Sequence, residues 1–292
     1  MKTILRIHKQ PEGHWVGDGF PVHTVLDYQR HPELSPFLML DHFGPADFSP
    51  TEKRRGVGWH PHRGFETVTV LLEGEVEHTD TAGNGGVIGP GEVQWMTAGA
   101  GLLHQEFHSD AFTRRGGRFH GLQLWVNLPA KSKMTPPRYQ TLTARDIPVV
   151  DGVRVIAGEY AGVKGPAQTF TPINLLLATL EAKRSLRLNL REGYSAALYV
   201  LRGDIVVNEE AAHAGELVVL SRNGDDVVIE AAADAIVFVM NGAPIDEPVA
   251  GYGPFVMNTP REIQQAFADY HAGRLGTIPS EAASELHRST QS

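Results

Sequence analysis

The sequence predicts an all-β protein, two β-barrels in tandem with a helix towards the C-terminal end, and three observations predict it. Short apolar runs of strand length alternate with turn residues along most of the chain, with 31 Gly and 19 Pro among 292 residues. The strand pattern of the first half returns in the second. One stretch, from Thr259, carries the start signal and apolar stripe of a helix. A chain of this length favours two domains of about 120 to 150 residues over one core, and the expected division is 1–130 and 131–292.

From about residue 56, the runs ETVTVLLEGEVEHTD, TAGNGGVIGPGEVQWMTAGAG and GRFHGLQLWVNLP are rich in β-branched and aromatic residues. Gly, Pro, Asn and Asp bound them and supply the dihedrals that turns need. Antiparallel strands joined by hairpins are expected. Residues 129–166 are richer in Pro and Gly and read as a linker or connecting strands. The strand pattern then resumes in INLLLATLEAK, SLRLNL, SAALYVLRGDIVVNEEAAHAGELVVLS, DDVVIEAA and AIVFVMN.

The repeat can be written residue by residue. VLLEGEVE at 70–77 corresponds to YVLRGDIVV from Tyr199, with Gly74 on Gly203; GPGEVQWM at 89–96 corresponds to HAGELVVL at 213–220, with Gly91 on Gly215. Two copies of one strand-turn-strand unit imply two similar barrels. Extended backwards, the register sets Gly193 on Gly64, and Asn189 and Arg191 on His60 and His62. The second copy lacks the imidazoles.

Near the C-terminal end, Thr259-Pro260-Arg261-Glu262 is a capping box with Pro at the first helical position. Ile263, Ala266, Phe267 and Tyr270 follow at i, i+3, i+4, i+7, and Gly273 can close the helix in a left-handed conformation. This helix is expected to pack on a barrel. The remaining PSEAASELHRSTQS is polar, expected to be mobile, and carries no function legible in its residues.

Composition excludes several function classes. A formal net charge of −8 and a pI of about 5.9 give no basic field for phosphates, so direct nucleic-acid binding is disfavoured and a regulatory role would need a protein partner. The absence of cysteine removes disulfides, thiolate ligands and a Cys nucleophile. The opening MKTILRIHKQPEGHW has too short an apolar run for a signal peptide, and no stretch reaches the roughly 18 apolar residues of a membrane span. A soluble, cytoplasmic protein is expected.

The chemistry concentrates in the first copy, where eleven of the 14 histidines precede residue 121. WHPHRGFETV, 59–68, places His60 and His62 at i and i+2, a spacing that points both rings to one face of a strand; Pro61, lacking an amide proton, suits a strand start or edge. LLHQEFH repeats the spacing with His104 and Glu106. Two adjacent strands, each with one such pair, would give three imidazoles and a carboxylate, a shell suited to Fe, Mn, Ni, Cu or Zn and not to Ca or Mg. Up to two positions of a six-coordinate ion would stay open. Glu66 shares the parity of His60 and His62, so spacing leaves it as an alternative to Glu106.

Other readings fall away on the residues. HQEFH lacks the Glu that must follow the first His of a zincin helix, AGNGGVIGPG lacks the Lys-Ser/Thr of a phosphate loop, and no G-x-S-x-G elbow occurs. His78, His108 and His120 read as partly exposed strand histidines or as donors to the ligands; His42 reads as structural or lining. Phe43, Phe65, Trp95 and Phe107 would furnish a flat pocket, although core packing explains each as well.

LDHFGP at 40–45, the run from HPHRGFETV to GLLHQE at 60–106, HGLQLWVNLP at 120–129 and EPVAGYGPFVMNTPREI at 247–263 resemble the pirin family of bicupins over residues 35–275. The resemblance implies two jelly-roll cupin barrels, an N-terminal one binding metal (1–130) and a C-terminal one without it (131–292). It implies His60, His62, His104 and Glu106 as ligands, with iron(II) as the leading metal and Mn, Ni, Cu or Zn as alternatives, and it leaves Glu66 in the surroundings. TAGAGLLH stands where general cupins have P-x-G before the histidine, as in pirins. The implied activity is quercetin 2,3-dioxygenation, opening a flavonol heterocycle with O2 and releasing CO, with Glu106 accepting the 3-hydroxyl proton. The alternative is a non-catalytic iron-dependent redox sensor that contacts a transcription factor or metabolic enzyme. A two-barrel chain can close its core as a monomer.

Overall fold

The computed structural model describes residues 1–279; the polar segment read at the end of the sequence lies outside the described residues, apart from Pro279. Each half is a sandwich of a large and a small antiparallel sheet. Among the described residues the first large sheet runs, in spatial order, Arg138–Leu142, Val93–Thr97, Phe65–Glu73, Gly117–Asn127, Phe37–Phe48, Phe20–Asp27 and His14–Val16. Its small sheet runs Gly56–His62, Leu102–His108, Val76–Asp80 and Gly85–Ile88.

The second large sheet runs Ile4–Lys9, Glu216–Leu220, Ser195–Arg202, Ala235–Gly242, Ile173–Leu180, Val153–Ala157 and Val149–Val150, with Ser185–Asn189, Asp226–Ala231, Asp204–Val207 and Glu210–His213 as its small sheet. Two strands lie across the division expected at residue 130. Ile4–Lys9 pairs with Glu216–Leu220 of the second barrel, and Arg138–Leu142 pairs with Val93–Thr97 of the first.

Hairpins join only some neighbours, which corrects the simpler expectation. Val76–Asp80 and Gly85–Ile88 form one, but the chain leaves the large sheet at Gly74 to reach the small one and returns through Gly91. Gly203 and Gly215 mark the same crossings in the second barrel. All four have positive φ, between 80° and 91°, where a side chain would be strained. The repeat in sequence is therefore a repeat of jelly-roll crossings.

The two large sheets pack face to face. Val68, Val70, Trp95, Leu122 and Leu124 of the first meet Leu175, Leu177, Ala197, Tyr199, Phe238 and Met240 of the second in one apolar cluster. The opposite parity of the second sheet, including Leu176, Ala178, Leu198, Val200, Val237 and Val239, fills the interior of the second barrel with Leu186, Leu188, Val227 and Ile229 of its small sheet. Those strands are apolar along most of their length because both faces are buried. Asn189 and Arg191, at the register positions of the lost histidines, are exposed, while leucines 186, 188 and 190 are buried.

The first barrel differs on its inner face. There the same parity supplies Thr67, Thr69 and Gln94, all buried, in place of aliphatic residues. A polar interior is costly unless its groups are bonded, and it surrounds the candidate site.

The helix Pro260–His271 forms as expected: Thr259 Oγ1 accepts from the Glu262 amide at 3.3 Å, and Gly273 has φ 70°. Ile263 and Ala266 are buried, with Phe267 and Tyr270 beside them, against Leu103 and Trp59 of the first barrel and Phe255 and Met257 of the strand before the helix. No helix among the described residues is long and apolar enough to cross a membrane.

Candidate metal centre

Gly56–His62 is an edge strand, which lets Pro61 occupy it without breaking a central ladder. It pairs with Leu102–His108 so that His104 lies opposite His60 and Leu102 opposite His62. Ring centroids of His60 and His104 are 4.2 Å apart, and those of His62 lie 4.9 Å from each. One nitrogen from each ring falls within 4.8 Å of the other two. The three predicted histidines thus converge from two strands.

Glu106 meets them from the side. Across a register shift after His104, its carboxylate groups with His104 and His78 at the same separation, and with His60 it lines a cavity of about 50 Å³. Gln94 Nε2 donates to one Glu106 oxygen and Gln123 Nε2 to the other, at 2.9 Å for the second. Those amides, with Thr69, fix the carboxylate in the barrel interior.

The donor set fits a first-row transition ion on three observations. Each of the three converging rings has its Nδ1 engaged: His60 with the Gly58 carbonyl at 2.8 Å, His62 with the Pro254 carbonyl at 3.3 Å, and His104 with His78 Nδ1 at 3.3 Å. Such outer partners select the tautomer that leaves Nε2 for a metal. His104 Nε2 is buried without any hydrogen-bond partner. Burial also pushes all three imidazoles below the ordinary value, well below it for His62 and His104, favouring the neutral form that ligation requires.

Segments distant in sequence brace this edge. Pro254, just before the strand Phe255–Met257, reaches His62; Arg63, the next residue, donates to the Ala100 carbonyl and pairs with Asp269 of the helix at 2.7 Å, both side chains being largely buried. Lys133 Nζ lies 2.8 Å from the carbonyls of Gly64 and Val256 and from Asn127 Oδ1. Burial pushes this lysine down to about 7, a cost that the three oxygens oppose.

Glu66 is not at the site. It lies on the outer face of its strand, where Thr97 Oγ1 donates to it at 2.7 Å, while Thr69 on the inner face reaches Glu106. The turn through Arg63 and Gly64, with φ 87° at the glycine, resets the parity counted from His62. Trp95 likewise packs between the barrels, and an Arg54 guanidinium covers Phe107. Phe43 lines the cavity and Phe65 packs edge-on against His62. His108 bonds the Gly19 carbonyl among phenylalanines, and His42 bonds Tyr199 and His120. His78 is fully buried inside the barrel. Gln94 and Gln123 were not anticipated, although each is the polar member of an apolar-alternating run, VQWM and LQLWV.

A family model described as Pirin matches residues 19–126, and one described as Pirin C-terminal cupin domain matches residues 175–276. The chain belongs to the pirin family. A Pseudomonas aeruginosa relative with the provisional name quercetin 2,3-dioxygenase is 49% identical over 282 residues, 94% of this pirin and 99% of that protein. Pirin-1 of Arabidopsis thaliana is 38% identical, over 94% of this chain and 93% of its own. The crystal structure of a quercetin 2,3-dioxygenase from Acinetobacter baumannii is 48% identical and superposes with a TM-score of 0.93, covering 96% of this pirin and 100% of that chain. A bacterial pirin from Escherichia coli, solved in complex with nickel(II), shares the fold at a TM-score of 0.64 and 20% identity, over 82% of this chain and 100% of its own.

Proposed function

We propose that this pirin is a metal-dependent dioxygenase of the quercetinase type, with His60, His62, His104 and Glu106 holding one divalent ion, iron(II) foremost. The observation that carries the reading is the convergence of three imidazoles beside a carboxylate in a polar barrel interior. Open coordination positions on such an ion would bring O2 and a flavonol 3-oxyanion together. Glu106 accepts the 3-hydroxyl proton, while Gln94 and Gln123 hold its two oxygens in place. Both atoms of O2 enter the opened product, and the carbon that bore the hydroxyl leaves as CO. The reading is supported by the relatives named for this activity.

The cavity beside Glu106, about 50 Å³, is smaller than a three-ring flavonol. Val16, Phe20 and Val22 form one wall of it, so admission of the substrate would displace that wall, which belongs to the edge strand His14–Val16 and its neighbour Phe20–Asp27. The same tightness favours the second reading, a non-catalytic iron sensor that signals to a protein partner. Anaerobically purified protein loaded in turn with Fe(II), Mn(II), Ni(II) and Cu(II) would be given quercetin and O2 while absorbance and CO are followed. CO released in proportion to quercetin consumed, and lost in Glu106→Ala, is the expected result. Metal binding without turnover for every ion would overturn the flavonol reading and leave the sensor.

A further inference from the structure

Two of the three ligand histidines are held by backbone carbonyls, but the third is held by a side chain that is itself held. His104 Nδ1 lies 3.3 Å from His78 Nδ1, and His78 Nε2 lies 3.1 Å from Asp80 Oδ2. Strand pairing builds this row. Leu102–His108 runs between Gly56–His62 and Val76–Asp80, with His104 opposite His60 on one side and opposite Asp80 on the other. His78 and Asp80 are both fully buried, and the His78 ring stacks on Tyr139 at 4.6 Å and 14°.

The protons along the row follow from the acceptor at its end. Asp80 Oδ1 takes the amides of Ala82 and Asn84 at 2.9 Å, and the Asn84 side chain reaches both oxygens, so Asp80 is surrounded by donors and is the acceptor for His78. With one proton per ring, His78 carries it on Nε2 and presents a lone pair at Nδ1. His104 then donates from Nδ1, and its Nε2, which no protein group meets, is left with a free lone pair on a ring grouped with those of His60 and His62.

We propose that Asp80 and His78 form a positioning relay for the metal, fixing the tautomer and ring angle of His104 and increasing its donor strength. His78 is a positioning residue and not a ligand, although its ring lies near enough to His104 and Glu106 to be mistaken for one. The proposal rests on His104 being a ligand. A carboxylate behind a ligand imidazole strengthens the metal bond, and loss of such an outer partner typically costs about 10- to 100-fold in affinity.

The test separates a relay from packing by two substitutions with opposite strengths. His78→Phe keeps a ring against Tyr139 and cannot accept from His104. His78→Gln loses the ring, but its amide can accept from His104 and donate to Asp80. Co(II) affinity would be measured by titration calorimetry in both variants and the wild type, alongside the thermal stability of the metal-free proteins. The expected result is a fall of about 10- to 100-fold in His78→Phe with substantial rescue in His78→Gln, whichever metal-free variant is the more stable. Equal affinities, or tighter binding by His78→Phe than by His78→Gln, would overturn the relay. Pulsed EPR of the Cu(II)-loaded wild type, which counts coordinated imidazoles through their remote nitrogens, should report three; four would make His78 a ligand and also overturn it. Failure of the wild type to bind either ion would instead strike the metal reading beneath the proposal.

Discussion

Glu66 offers a test in which the sign and the pH window both come from its surroundings. It is 1% exposed, between the barrels, and burial raises its carboxyl from 4.5 to about 7. A raised carboxyl binds its proton more tightly in the folded chain, so its contribution is full below pH 4.5, declines as pH rises to about 7, and is constant above. At about 1.4 kcal/mol per unit, this difference withdraws about 3 kcal/mol from the folded state at neutral and alkaline pH. Glu66→Gln removes the ionisable group, and its amide oxygen can still accept from Thr97. The variant should match the wild type near pH 4.5 and exceed it by up to about 3 kcal/mol at pH 8. With about 2 cal/mol/K of unfolding entropy per residue, that is a rise of about 5 °C in Tm. Thermal and urea unfolding from pH 4.5 to 8.5 would measure it, with metal content determined on the same samples. A stability difference independent of pH, or a loss of bound metal, would refute the placement of this carboxyl outside the site.

Two further outcomes follow from the packing between the barrels and from the buried histidines. Tyr199, fully buried, donates to Gln10 Oε1 at 3.0 Å and accepts from His42 Nδ1 at 2.8 Å; Tyr199→Phe should cost about 1–3 kcal/mol in urea unfolding, and a loss below about 0.5 kcal/mol would mean that neither bond matters. Burial pushes His42 down to about 3 and His108 down to about 4, so each destabilises the fold by about 1.4 kcal/mol for every unit that pH falls below 6.5, until the folded value is reached. Their combined slope exceeds the opposite one from Glu66, and stability measured in urea should drop between pH 6.5 and 4.5; a flat or rising profile would contradict it.

The fold was legible because the glycines recur where geometry requires them. Gly74 with Gly203, and Gly91 with Gly215, share one register in sequence and one left-handed backbone in space. The inference that failed was that adjacent runs form hairpins, since a crossing to the facing sheet uses the same residue types. The histidine pairs were legible because alternation in a strand is local. Counting through Gly64 to Glu66 was unsafe because a turn does not preserve alternation. Pro254 reaches His62 through a backbone carbonyl, a group that every residue type carries and no composition reveals. The glutamines could have been found by asking why VQWM and LQLWV carry a polar residue mid-run where LVVL, the register partner of VQWM, does not.

The brace on the metal edge has a consequence for the order of biosynthesis. A ribosome delivers His60, His62, His104 and Glu106 by residue 106, yet Pro254, Val256 and Asp269, which steady His62, Lys133 and Arg63, come some 150 residues later. The early strand Ile4–Lys9 waits for Glu216–Leu220 in the same way. A nascent chain therefore carries all four proposed ligands without the finished seat, and a polypeptide released too soon should hold an ion loosely or not at all.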